Sequence, residues 1–376
     1  MGAGLLIVSR QNHVVGVLMQ PFAEMTEMGH EQVVWCRNES VGLQAIIAIH
    51  NTTLGPALGG CRLYDYSTEN DALRDVLRLS RGMTYKAAIA GLDVGGGKAV
   101  ILGDPSMKCE ALFRAFGRFV ESLGGRYITA EDMNTNVEDM NNIRRETRWV
   151  TGVGVTVGGS GDPSPVTAWG VYHGIRACLE VVYGSPDVRG RSVAIQGVGN
   201  VGHHLARYLH EGGAKLVLSD INAPRLRRVH EELGGTVVEG EDYYKTPCDV
   251  LAPCAIGGIV NRQSIPHIRA PIVAGGANNV LEDEERDGEA LLQRQITYAP
   301  DYVINAGGLI SVSGELSGYP REKAMSDAAN VFNTVKRVLN KAQGEVCTTT
   351  AAARRLAEER IEAVAGLKRV FVESRA

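Results

Sequence analysis

Apolar and polar positions along this chain follow two regimes. From about residue 30 to 160 the period changes repeatedly. Val41–Ile49 is a strand-like apolar run, whereas Ala72, Leu73, Val76, Leu77, Leu79 and Met83 recur at helical spacing over Glu69–Met83. That amphipathic helix delivers Lys86 at its C-terminal end. A second helix, over about Lys108–Leu123, carries Leu112, Phe113, Phe116, Phe119 and Val120 on one face. Gly124-Gly125 stops it, and Arg126–Ala130 reads as the next strand. Gly158-Gly-Ser-Gly-Asp-Pro-Ser-Pro165 is the clearest hinge or linker, and a helix over Val166–Val182 follows it.

Beyond the hinge, strand and helix alternate as in a parallel sheet. Ser192–Gln196 is a buried strand running into Gly197-Val198-Gly199-Asn200-Val201-Gly202, with a helix over about Asn200–Glu211. Strand Lys215–Ser219 follows and ends at Asp220. A Gly-x-Gly-x-x-Gly turn between a strand and a helix, with an acid closing the next strand, is a dinucleotide-binding pattern. The glycines let the backbone approach a pyrophosphate that the helix N-terminus stabilises. Asp220 would accept hydrogen bonds from the ribose hydroxyls and repel a 2′-phosphate, which favours NAD over NADP. A tight turn without ligand is the alternative. Asp249–Cys254, Pro271–Gly275 and Tyr302–Asn305 continue the sheet, and helices over about Glu322–Lys341 and Thr350–Leu367 close the chain.

The expected fold is α/β with two domains, a substrate domain over 1–165 and a doubly wound Rossmann domain over 166–335. Helices in 336–376 pack back on the first domain. In the first twenty residues Arg10, Gln11, Asn12 and His13 interrupt the apolar runs. No signal peptide or membrane span is expected there, and the segment reads as a poorly ordered extension. Composition narrows the function classes. A net charge of −4 gives no reason to expect nucleic acid or an anionic membrane as partner. The seven cysteines are scattered without a Cys-x-x-Cys pair, so no metal site or disulfide framework is indicated and a reducing cytoplasm fits.

Candidate chemistry lies in Gly82-Met-Thr-Tyr-Lys86 and Gly95-Gly-Gly-Lys98, the second read as a glycine-rich loop. Two lysines among Ala87-Ala-Ile-Ala90 and Leu92 are poorly solvated, and each disfavours the charge on the other. Both effects suit a base; a structural turn is the other reading. In Ala130-Glu131-Asp132 a carboxylate either exchanges a proton with a bound amine or caps a strand end. The amides of Asn278, Asn279 and Asn305 either hold a carboxamide or carboxylate or satisfy turns.

Taken together, the motifs resemble one family. They are Thr53-Leu-Gly-Pro-Ala-Leu-Gly-Gly60, Gly82–Lys86, Gly95–Lys98, Gly103-Asp-Pro105 and Arg126-Tyr-Ile-Thr-Ala-Glu-Asp132. Pro163-Ser-Pro-Val-Thr167, Gln196–Gly202, Ala252-Pro-Cys-Ala255 and Ala299–Gly308 complete them. In that order, from about residue 30 to 365, they are similar to the leucine, valine, phenylalanine and glutamate dehydrogenases. The resemblance implies that Lys98 is the general base that activates water, Lys86 the partner of the substrate α-carboxylate and Asp132 the acid exchanging a proton with the amine. It places Gly59, Gly60 and Met83 beside the substrate, and Thr167, Asn278 and Asn305 near nicotinamide or substrate. Ala255 becomes a cofactor contact. The implied reaction converts an L-amino acid, NAD and water to a 2-oxo acid, ammonia and NADH, without a metal, in a homo-oligomer, often an octamer.

Glutamate-specific relatives carry a lysine where this chain has Leu58, and an apolar residue there leaves a γ-carboxylate unpaired. Leu58, Ala130, Leu309 and Val312 match side-chain pocket positions, all apolar. Three agree with leucine-type enzymes, while Leu309 replaces a smaller valine. Two departures point elsewhere. Asn134 stands where leucine enzymes have glycine and resembles the phenylalanine enzymes, and Ser313-Gly314-Glu315 replaces an Ala-Asp-Glu triplet. The expectation is a branched-chain amino-acid dehydrogenase. An aromatic (phenylalanine or tryptophan) dehydrogenase is the runner-up, and a non-catalytic NAD-sensing protein the remote alternative.

Overall fold

The computed structural model describes residues 20–316, 318 and 321–367, so the expected N-terminal extension lies outside the described residues. Its first sheet contains β1 (Gln32–Asn38), β2 (Leu43–Asn51), β3 (Ala57–Tyr64), β4 (Gly95–Leu102) and β5 (Tyr127–Glu131), in the order β1-β2-β4-β3-β5. β2 is antiparallel to both β1 and β4, whereas β3 runs parallel to β4 and β5. The apolar run in β2 is continuous because both sheet faces are covered. Ile47 and Ile49 pack with Phe113, Phe116 and Tyr127 on one face. Ile46 and Ala48 meet Leu73 and Leu77 of the Glu69–Ile89 helix on the other. Thr68 caps that helix by accepting from the Asp71 amide at 3.1 Å.

The second sheet is parallel throughout. It holds β6 (Ser192–Gln196), β7 (Lys215–Ser219), β8 (Thr236–Val237), β9 (Val250–Pro253), β10 (Ile272–Val273) and β11 (Thr297–Tyr298), in the order β11-β10-β9-β6-β7-β8. The expected fold class is what the chain adopts. β6, β7 and the Asn200–Glu211 helix have the expected limits.

Five expectations need correction. Gly95–Lys98 is not a loop but the start of β4, because its glycines allow neighbouring elements to press against the backbone. A Cβ at Gly96 would overlap Thr84, and one at Gly97 would meet the Tyr127 ring. The Glu69 helix continues to Ile89, so Lys86 sits within its last turn. Tyr302–Asn305 is not a strand. After β11 the chain turns at Pro300 into a short helix, Asp301–Ile304, a distinction that so short an apolar run cannot carry. The expected Glu322–Lys341 helix is two, Arg321–Ala329 and Val331–Glu345, broken at Asn330. The linker is also shorter than expected, since its helix begins at Ser164. The final helix, Thr349–Leu367, returns to the first unit. There Arg360 donates to the Leu92 carbonyl at 2.7 Å and the Asp93 carboxylate at 2.8 Å, beyond the end of the Glu69–Ile89 helix.

Candidate active site

Tight strand packing brings the central residues together. β3 and β5 pair with Gly60 opposite Ala130, and β3 pairs with β4 on its other side. A Cβ at Gly59 would overlap the Gly97 carbonyl, and one at Gly60 would overlap the Glu131 carbonyl and press on Asp132. These glycines therefore let β4 and the end of β5 close around β3. Lys98, on β4, is buried and donates to Asp132 Oδ1 at 2.7 Å. Arg62, on β3, donates from Nε to the other Asp132 oxygen at 2.8 Å. Burial pushes the Asp132 carboxyl upward, but Lys98 and Arg62 outweigh it and hold it at about 2.

Lys86 reaches across to the second unit. Its Nζ donates to Asn305 Oδ1 at 2.7 Å, and Asn305 Nδ2 donates to Asn278 Oδ1 at 2.7 Å. Burial lowers the Lys86 ammonium to about 8, with buried Asp301 opposing and Lys98 reinforcing the shift. Lys98, Asp132 and Asp301 are all near enough for their charges to act on Lys86, so residues of both units share one site. An ammonium, a second lysine beside an ionised carboxylate and two amides can together hold a carboxylate and move protons at an adjacent carbon.

An apolar cluster adjoins this polar group. Leu58 and Leu309 pack with Ala87, Val94 and Ile128, and Met83, Val312, Leu92 and Trp149 border them. Of the expected pocket positions, Leu58, Leu309 and Val312 therefore meet, with Met83, in one cluster built from both units. Ala130 is buried on β5. Of the two departures from the leucine-type pattern, Asn134 lies in a turn after β5, whereas Ser313-Gly314 directly follows Val312 on the Gly307–Glu315 helix. Asn134 has φ 61°, a left-handed conformation that asparagine and glycine share, and its side chain donates to the Leu63 carbonyl at 3.0 Å. Glu315 accepts from the Gly152 and Ser160 amides at 2.8 and 2.9 Å and so ties its helix to the linker segment.

The Gly197–Gly202 turn fits a dinucleotide. Gly197 has φ 91°, and its Cβ would meet Ala255; a Cβ at Gly202 would overlap the Gly197 carbonyl. Gly199 differs, since a Cβ there would come near only Arg225, which leaves its backbone approachable. Val198, Asn200 and Val201 complete the turn and the start of its helix. The Asp220 carboxylate accepts from the Val198 amide at 2.8 Å and the Asn222 amide at 2.7 Å, with Arg225 at 3.6 Å. The acid thus fixes the glycine turn with acceptor capacity left on its oxygens. Thr167 donates to the Pro163 carbonyl at 3.0 Å and lies against Gly308.

Sequence reasoning gave no site role to Arg62, Trp149 or Asp301, and it noted Glu315 only within the Ser313-Gly314-Glu315 triplet. Arg62 had a readable signal, a cation two places after Gly60 in a strand otherwise apolar or glycine. The others are placed by contacts distant in sequence.

Residues 30–149 match the family described as Glu/Leu/Phe/Val dehydrogenase, dimerisation domain, and residues 158–223 and 222–375 match Glutamate/Leucine/Phenylalanine/Valine dehydrogenase. The chain is 51% identical to the leucine dehydrogenase of Geobacillus stearothermophilus over 357 residues, 95% of this chain and 97% of that one. It is 49% identical to the valine dehydrogenase of Streptomyces virginiae, over 89% of this chain and 94% of the relative. The crystal structure of L-tryptophan dehydrogenase from Nostoc punctiforme superimposes with a TM-score of 0.83 at 46% identity, covering 92% of this chain and 98% of that chain. The chain belongs to the glutamate/leucine/phenylalanine/valine dehydrogenase family and is an amino-acid dehydrogenase of NAD(P)-dependent type.

Proposed function

We propose that this enzyme catalyses the NAD-dependent, reversible oxidative deamination of a branched-chain L-amino acid, namely leucine, valine or isoleucine. The observation that carries the reading is the Lys98–Asp132 pair beside an apolar cluster of Leu58, Met83, Leu309 and Val312. Leu58 leaves no cation for a γ-carboxylate, and Asn134 is explained by its turn, so neither glutamate nor an aromatic substrate gains support there. NAD, when bound, supplies the hydride acceptor for the substrate α-carbon.

Lys86 would leave Asn305 to pair with the α-carboxylate. Lys98, as its neutral amine, takes a proton from the water that attacks the imino carbon. Asp132 exchanges a proton with the departing amine. Gly59 and Gly60 border the substrate, and Ala130 and Leu309 limit its side chain. Gly197–Gly202 and Ala255 hold the pyrophosphate side of NAD, Asp220 its ribose, and Thr167, Asn278 and Asn305 the nicotinamide side. We place the substrate domain before residue 166 and the NAD domain after it, carrying the boundary expected at 335 past the Val331–Glu345 helix, whose Val335, Val338 and Leu339 pack with Val171 and Ile175, so that Thr349–Leu367 is the returning helix. The linker would let the cleft close and exclude water. A cytoplasmic homo-oligomer, an octamer by analogy, completes the reading. Among the described residues no helix is long and apolar enough to cross a membrane.

The test is kcat/KM across L-amino acids with NAD and NADP. Leucine, valine or isoleucine with NAD should rank highest, and Asp220→Ser should relax discrimination against NADP. A preference for phenylalanine or tryptophan would overturn the pocket assignment. NADH binding without turnover of any amino acid would favour a sensing role instead.

A further inference from the structure

We propose that Arg62 is a positioning residue for the proton chemistry of Lys98. By sharing the negative charge of Asp132, it lets Lys98 release a proton without leaving that carboxylate unpaired. The inference rests on the reading of Lys98 and Asp132 as the reactive pair and assigns what makes the pair workable.

The geometry is an alternating row of charges. Lys98 and Arg62 each hold one oxygen of Asp132, at 2.7 and 2.8 Å. Arg62 Nη1 then donates to Asp75 Oδ2 at 2.8 Å, an oxygen that also accepts from the Tyr66 hydroxyl at 2.7 Å. Arg78 reaches the second Asp75 oxygen at 3.2 Å, and its own side chain is 64% exposed. The row therefore runs from the sheet interior to solvent. Arg62 and Asp75 are 17% and 16% exposed, so their charges are weakly screened.

A buried lysine with a carboxylate as its one partner is held as an ammonium, because releasing its proton strands the anion. A guanidinium on the second oxygen changes this. It stays charged at every working pH, and its planar fork serves Asp132 and Asp75 together. Lys98 can then pass between ammonium and amine while Asp132 keeps a cation.

The other groups facing this pair do not supply that cation. Lys86, from the Glu69–Ile89 helix, is bonded to Asn305. Cys61 on β3 and Tyr127 on β5 are driven far above their usual ranges by burial and stay neutral. Asp139, behind them, pairs with Lys108 at 2.5 Å. Among the described residues, Lys98 and Arg62 are the two cations hydrogen-bonded to Asp132.

Two variants should move activity in opposite directions along the pH axis. Arg62→Met removes the shared cation, so the acid limb of kcat/KM moves up by about one pH unit or more. Asp75→Asn frees Arg62 to act more strongly on Asp132, so the limb moves down. Arg62→Lys should bring the limb most of the way back to the wild-type position. Folding is checked by thermal unfolding and by NADH binding through fluorescence. If Arg62→Met does not fold, Asp75→Asn carries the test, since its amide oxygen can still accept from Arg62. Unmoved limbs, or limbs that move the same way, would overturn the proposal. Retained turnover in Lys98→Ala would instead overturn the underlying assignment of the pair.

Discussion

Lys86 shows how one residue's surroundings become a measurable property. Burial lowers its ammonium to about 8, while its partner Asn305 is neutral and leaves it without a bonded counter-ion. A carboxylate arriving in the cleft would supply that charge. Binding of a 2-oxo acid to the enzyme–NADH complex, measured calorimetrically without ammonium, should therefore be strong below about pH 8 and weaken above it. The sign follows because the amine form has no charge to offer. Affinity unchanged through that range would separate Lys86 from carboxylate recognition. Asn134 supports a second prediction at this scale. Its left-handed φ and its bond to Leu63 place it in a turn, so Asn134→Gly should leave the order of preferred amino acids unchanged in a kcat/KM panel.

At the scale of elements, glycines decide where catalytic side chains stand. β3 and β4 approach so closely that Gly59→Ala must drive its methyl into the Gly97 carbonyl. Overpacking of this kind costs about 1–3 kcal/mol, and it should displace Lys98 from Asp132. We expect a lower Tm together with a loss of kcat larger than the stability change explains, read from melting curves and initial rates. A variant with wild-type kcat would show that the strand spacing is not what sets the pair.

Legibility in the sequence also divides at this scale. Period and turn chemistry predicted β6, the glycine turn and β7, because each is a local signal with its own start and stop. They could not show that Gly95–Lys98 is a strand, since its glycines answer to Thr84 and Tyr127 rather than to neighbours along the chain. Arg62 stood out as a cation in an apolar strand, but its partners, Asp132 just after β5 and Asp75 on the Glu69–Ile89 helix, could be found only in the fold. Local setting singled out the two lysines and the Glu131-Asp132 carboxylates, and the motif resemblance assigned roles to Lys86, Lys98 and Asp132; the bonds Lys98–Asp132 and Lys86–Asn305 needed the fold.

Across the whole molecule, the polar ties between the two units among the described residues include a bond from Tyr85 to Glu358 as well as three further contacts. Lys86 bonds Asn305, Glu315 holds the linker amides, and Arg360 binds the segment after the lysine helix. Of these ties, those of Lys86 and Glu315 involve the proposed substrate residue and the linker, whereas that of Arg360 anchors the returning helix. One buried histidine, His50, and two half-buried ones, His30 and His173, contribute to the molecule's acid response. His30, His50 and His173 are each lowered from 6.5 to about 4, chiefly by burial. The unfolded chain takes up these protons first, so stability is complete above about pH 6.5 and falls as pH drops toward 4. Tm followed by calorimetry should decline through that window, and His50→Gln should make the decline shallower. A Tm independent of pH there would mean that these histidines are not neutral in the fold.

The central claim is that Lys98 is the base of an amino-acid dehydrogenase. Its most direct measurement is single-turnover NADH formation by Lys98→Ala with the preferred amino acid, beside NADH affinity measured by fluorescence. The expected result is a rate lower by about 10²–10⁴-fold or more with NADH binding retained. A rate equal to the wild type would contradict the account.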